Sequence, residues 1–181
     1  RYIHELIKGI IDAGDTPVVF STKKLLIKQK GAEYRVIPQK THRIIWEQVQ
    51  LPRAIAEGNL DLYHATANYG APLLSKVPVI LTVHDLIPLT YKGYFSNSQF
   101  PFISRWLYIL NVKMSIFKSR KTICTTNSVI SDVKRNFDLN KKKLELIPMA
   151  ADKEFLENKA STDKNILKRY GIISEFMLNF G

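Results

Sequence analysis

The sequence predicts an α/β fold: a doubly wound parallel sheet with helices on both faces. Three observations carry this expectation. Short β-rich runs alternate with amphipathic stretches, one run is apolar throughout, and polar clusters follow the runs directly. The apolar run, Val77-Pro78-Val79-Ile80-Leu81-Thr82-Val83, suits a strand buried between neighbours in a parallel sheet that is covered on both sides. Strands that alternate with helices form parallel, right-handed crossover units, because parallel neighbours cannot be joined by a tight turn.

Ile3, Leu6, Ile7, Ile10 and Ile11 recur at helical spacing, and Ala13-Gly14-Asp15 closes that helix. Pro17-Val18-Val19-Phe20 reads as a short buried strand and Glu33-Tyr34-Arg35-Val36-Ile37 as a second one. Thr41 is placed to cap a helix from Arg43 to Glu57, kinked or interrupted at Pro52 and stopped by Gly58-Asn59. The strand Leu60-Asp61-Leu62-Tyr63 follows, and then the apolar run, which ends in His84-Asp85. Tyr91 to Gln99 is loop-like. Phe102 to Phe117 reads as a helix whose seam is Ile103, Trp106, Leu107, Leu110, Met114 and Phe117, with Ile109, Val112 and Ile116 opposite. A helix apolar on nearly all sides is buried or faces lipid. Arg105, Asn111 and Lys113 argue against a transmembrane span. Thr122 to Thr126 reads as a strand, Ser128 to Phe137 as a helix capped by Ser128, and Leu144 to Ile147 as a further strand. A short helix from Asp163 to Tyr170 and a strand from Phe176 to Gly181 close the series, giving a Rossmann-like order overall.

Composition narrows the class. At 181 residues, 45% hydrophobic and 24% charged, the chain can bury one sizeable core and is neither a disordered tail nor a disulfide scaffold. The single cysteine, Cys124, fits buried packing in a reducing compartment. The opening Arg1-Tyr2-Ile3-His4-Glu5-Leu6 lacks the succession of basic, apolar and small residues that a signal peptide needs. A net charge of +11 calls for an anionic partner: nucleic acid, membrane or phosphorylated ligand. The excess is uneven, since residues 101–181 carry 15 basic and 8 acidic side chains while residues 1–100 carry 12 and 8. No acidic residue lies between Asp85 and Asp132, whereas Lys92, Arg105, Lys113, Lys118, Arg120 and Lys121 stand there among many aromatics. Such a surface suits contact with anionic lipid headgroups, or it is a solvated helix flank.

Ligands of open α/β sheets gather beyond the carboxyl ends of the strands. Three polar clusters are expected there: His64-Ala65-Thr66-Ala67-Asn68-Tyr69-Gly70, His84-Asp85 and Thr126-Asn127-Ser128. His84 can act as hydrogen-bond partner, base or ligand, and Asp85 beside it can orient a hydroxyl; an ordinary strand-end histidine is the plain alternative. No His-Glu-x-x-His, paired cysteines or clustered acids occur in the sequence, so a bound metal is not expected.

Several segments, taken in order, resemble glycosyltransferases of the group 1 kind, family 4, and among them the mannosyltransferase-like members that build bacterial surface polysaccharides. The segments are Arg1 to Leu6, which resembles the stretch after that family's Gly-x-Gly-Arg loop, Asp61 to His64, VILTVHDLIP from Val79 to Pro88, Cys124 to Ser128 with Asp132-Val133, and LELIPMAADKEF from Leu144 to Phe155. Ala150 stands where the family has glycine. The resemblance implies the N-terminal half of a GT-B fold. Residues 1–152 would form the acceptor-side domain, lacking its first strand and glycine loop, and residues 153–181 a linker and the first strand of a donor-binding domain.

The resemblance further implies retaining transfer of a hexose such as mannose from a nucleotide-sugar donor to a saccharide or lipid-linked acceptor. It implies no cofactor, no obligatory metal and no nucleic acid, and a half that is inactive by itself. His84 and Asp85 would be catalytic, His64, Asn68 and Tyr69 would line the acceptor site, and Arg1 would neighbour the phosphate loop. The enzyme would be cytoplasmic, peripheral on the inner face of the plasma membrane. Two other readings stand beside it: a non-catalytic basic module for anionic lipid or nucleic acid, and a nucleotide-sugar epimerase of the same architecture.

Overall fold

The computed structural model describes residues 2–91, 93–137, 143–150, 164–174 and 176–177. The chain divides into two compact units, residues 1–149 and 150–181. In the first, helix α1 (Tyr2–Asp12) precedes β1 (Val18–Ser21) and β2 (Glu33–Val36). A composite helix follows: α2 (Arg43–Ile45), a π-helical turn (Trp46–Gln50) and α3 (Leu51–Glu57). Next come β3 (Tyr63–Ala65), β4 (Val79–Val83), α4 (Ile87–Thr90), α5 (Pro101–Lys118), β5 (Lys121–Cys124), α6 (Asn127–Asn136) and β6 (Leu144–Leu146). The second unit carries α7 (Lys164–Arg169). Phe176 and Met177, expected to open a strand, are not in one, and residues 178–181 lie outside the described residues, as does Asp163.

All strand pairs are parallel, in two sheets: β1 with β2, and β3-β4-β5-β6 in that order. The α/β, Rossmann-like class is as expected; the single continuous sheet is not what the described residues form. β1, read as buried, is half-buried along its length, and among the described residues it has a strand neighbour on one side only.

The core lies around β4, the strand read as apolar throughout. Leu81 and Val83 are fully enclosed with Leu86, Val112, Ile116, Cys124 and Val133. Each such Leu, Ile or Val side chain contributes about 1.5–3 kcal/mol by leaving water. α5 buries Val112, Ser115 and Ile116. Of its predicted seam, Ile103, Trp106, Leu107, Met114 and Phe117 instead face outward, Phe117 being 78% exposed, while Leu110 is half-buried; Phe102 beside them is 82% exposed. Both sides of this helix are apolar, so periodicity alone does not say which side meets the sheet.

Two expected caps differ, and the expected interruption at Pro52 takes a definite form. His42, not Thr41, caps α2, its ring Nδ1 accepting from the Ile44 N–H at 3.4 Å. The long helix is interrupted before Pro52, where Leu51 N–H reaches back to Trp46 O in a widened turn. Pro52 has no N–H for the carbonyl four residues earlier, and a π-helical turn re-routes the ladder around that gap. Finally, α6 is capped by Thr126, whose hydroxyl accepts from Val129 N–H at 3.2 Å, and Ser128 falls inside the helix.

Candidate functional site

Register brings the polar clusters together. Ala65 pairs with Leu81 and Val83 with Cys124, so the residues after β3, β4 and β5 emerge at one edge. Asn68 Oδ1 accepts from the N–H of His84 at 2.8 Å and of Asp85 at 3.4 Å. Thr125 Oγ1 donates to His84 O at 3.1 Å from the other side. The backbone around His84 is therefore held by both neighbouring strand ends.

The His84 ring is anchored as well. Its Nε2 lies 3.0 Å from Thr66 O, and since a carbonyl only accepts, Nε2 carries the proton. Tyr2 packs edge-on against the ring, with centroids 4.8 Å apart. Nδ1 has no hydrogen-bond partner among the described residues and the side chain is half-buried, so a lone pair remains for a ligand. Asp85 Oδ1 accepts from Ile87 N–H at 3.1 Å, closing the turn into α4, and makes no hydrogen bond to the His84 ring.

His64 lies within β3, not beyond a strand end as the sequence reading had it. Its Nε2 meets Thr82 Oγ1 at 2.8 Å, and Tyr2 OH meets the same hydroxyl at 3.0 Å. Burial, and secondarily the nearby His84, hold its pKa below the usual histidine value. This chain satisfies Thr82, which is fully buried in the sheet.

Tyr69 turns toward a second feature, a cavity of about 230 Å3 lined by Arg43, Tyr69, Phe95, Leu107, Tyr108 and Asn111 among others. Arg43 donates to Glu47 Oε1 at 2.6 Å and to Tyr69 OH at 3.0 Å, and its guanidinium lies 4.6 Å from the Tyr69 ring centroid. The Tyr108 hydroxyl is enclosed without a well-formed hydrogen bond among the described residues. Burial pushes it up to about 12, while the adjacent Asn68 side chain works in the opposite direction. The loop between the two features is pinned from below: Ser115 Oγ on α5 accepts from Gly70 N–H at 3.1 Å and Ala71 N–H at 3.2 Å.

The sequence reading missed Tyr2, Thr82, Arg43, Glu47, Tyr108 and Ser115. Their partners are distant in the chain, and only register and helix packing bring them in. Of the other residues it named, Arg1 and Lys92 lie outside the described residues. Lys118 donates to Ser75 O at 2.7 Å and Arg105 to Leu89 O at 3.3 Å. Lys121 is paired with Glu145, and Lys113 and Arg120 are exposed. Among the described residues no three His, Cys, Asp or Glu side chains gather to hold a metal ion.

Parallel strands alternating with helices, with an anchored histidine at the carboxyl edge, define a Rossmann-like α/β domain. Comparison with known proteins gives the particular family. The model of Glycosyltransferase Family 4 matches residues 1–155, and the chain belongs to that family. No curated protein matches it significantly in sequence. Among solved structures, the chain is similar to a glycosyltransferase from Rickettsia africae ESF-5, with a TM-score of 0.58 at 16% identity. The match covers 94% of this chain and 45% of that one, so the chain spans less than half the length of that neighbour.

Proposed function

We propose that this chain is the acceptor-side half of a retaining glycosyltransferase, moving a hexose such as mannose from a nucleotide sugar to a saccharide or lipid-linked acceptor. The observation that supports it most is His84: a strand-end imidazole whose Nε2–H is committed to Thr66 O while Nδ1 has no hydrogen-bond partner among the described residues. An imidazole fixed in this tautomer can accept a hydrogen bond from a sugar or acceptor hydroxyl, and once protonated can stabilise charge developing as the glycosidic bond to phosphate breaks. Family membership supports the reaction class.

Within this reading Asn68 is a positioning residue, fixing the His84-Asp85 backbone, and Asp85 shapes the turn beside the reacting groups. Tyr69 and the cavity beside it would receive the acceptor, with the Tyr108 hydroxyl as a hydrogen-bonding group. A donor-binding half would complete the cleft, a metal or cofactor is not required, and Arg1 would neighbour the donor phosphates. We place the enzyme at the cytoplasmic face of the plasma membrane, where nucleotide sugars meet lipid-linked acceptors.

The test is turnover by the full-length enzyme, followed as acceptor-dependent release of nucleotide. His84→Ala should lower kcat by about 100-fold or more, on the scale of losing one transition-state hydrogen bond. His84→Asn, whose amide oxygen can stand near the position of Nδ1, should retain more. Unchanged turnover in His84→Ala would remove the catalytic assignment, and nucleotide release without any acceptor would favour the epimerase reading.

A further inference from the structure

We infer that the outer face of α5 is a membrane-docking surface that lies in the headgroup region of an anionic bilayer. The inference deepens the membrane placement proposed above and stands independently of the sugar-transfer chemistry.

At 3.6 residues per turn, Phe102, Ile103, Trp106, Met114 and Phe117 fall on one arc of the helix, opposite the buried Val112, Ser115 and Ile116. On that arc Phe102 is 82% exposed, Trp106 56% and Phe117 78%. With about 150–250 Å2 of surface per aromatic side chain, these three leave on the order of 400 Å2 of apolar area in water, as large as the biggest patch on a typical monomer.

Charge identifies the occupant. Lys113 lies on the arc, Lys118 flanks it, and Lys143 sits 5.5 Å from the Phe117 ring centroid. The carbonyl partners of Lys118 and Lys143 satisfy a proton each and leave the positive charge in place. Lys121 is offset by Glu145. No carboxylate occurs from residue 86 to 131. A second copy docked through the same face by a two-fold axis would set these cations against each other with nothing to neutralise them. An anionic lipid surface meets both requirements: aromatic rings enter the interface while the cations meet phosphates. The mode is surface-lying, since among the described residues no helix is long and apolar enough to cross a membrane.

Placement gives this surface a use. The neighbouring arc of α5, with Leu107, Tyr108 and Asn111, lines the cavity that holds Tyr69. A lipid-linked acceptor held at the headgroups would reach that cavity without leaving the plane of the membrane.

The experiment is sedimentation of the full-length protein with vesicles of phosphatidylcholine alone or with about 30% phosphatidylglycerol, at low and high salt. Binding to the anionic vesicles should be at least about tenfold stronger and should weaken with salt. Phe102→Ser/Phe117→Ser and Lys113→Glu should each reduce it severalfold; both sites are exposed, so the melting temperature should not change. Trp106 fluorescence should shift to shorter wavelength on binding, and the shift should vanish in Trp106→Phe. Turnover on a water-soluble acceptor should be unchanged in the double variant, which separates docking from catalysis. Equal partition onto neutral vesicles, full binding by the double variant, or a dimer that buries this face in place of lipid overturns the inference.

Discussion

Gly70 holds φ +101°, and a Cβ there would sit 3.1 Å from Glu47 Oε1. Its N–H and that of Ala71 both point at Ser115 Oγ, so this one residue sets how the loop after β3 descends onto α5. Gly70→Ala should destabilise the fold by about 1–3 kcal/mol, because an L-residue is strained at such a φ and the Glu47-Arg43 pair must also give way. Urea unfolding would measure the loss; no change in midpoint would mean the loop carries no such constraint. Residues of this kind separate what was legible from what was not. His84 stood out because it follows an apolar strand directly. Its supports did not: Tyr2 reaches Thr82 across 80 positions of sequence, and Ser115 reaches Gly70 across 45. Asn68 was named as an acceptor ligand, and nothing local shows that its carbonyl oxygen faces two backbone N–H groups instead.

Among the elements, most strands and helices were legible in kind and order, α4 and the strand expected from Phe176 excepted, and their ends were less so. α6 shows why. Thr126 and Ser128 are both suitable caps, and the choice depends on where the backbone leaves β5 in extended geometry, at Thr126. Thr126→Ala should cost about 1 kcal/mol while Ser128→Ala costs a few tenths at most. Paired thermal melts test this, and the reverse order would restore Ser128 as the cap. The π-helical turn at Trp46–Gln50 was anticipated only as an interruption near Pro52. Its consequence lies at the cavity: the composite helix seats Glu47 and Arg43 one turn apart, so the buried carboxylate can hold the half-exposed guanidinium against Tyr69. α5 was legible as a helix and as unusually apolar, but which arc faced the sheet had to come from packing.

For the whole molecule, acid should be the destabilising direction near neutrality. His64 is held below its ordinary pKa of 6.5 by burial, so between its folded value and 6.5 the unfolded chain binds the extra proton. Stability therefore rises with pH through that window and declines as pH falls through it. Melting temperatures from pH 7.5 down to about 5 should fall, with a shallower slope in His64→Gln; a slope unaltered by that change would assign the effect to other groups. Cys124 adds nothing there, because burial pushes its thiol up to about 11. The division into two parallel sheets has a consequence of another kind. Among the described residues β1, Val18-Val19-Phe20-Ser21, bears no charge and has a strand beside it on one edge only, as does β3. An uncharged edge rich in β-branched residues offers backbone groups for pairing with an extended segment, within the limit its short length sets. The outer edge of β1 is therefore where a further strand, from this chain or another, would extend the two-stranded sheet.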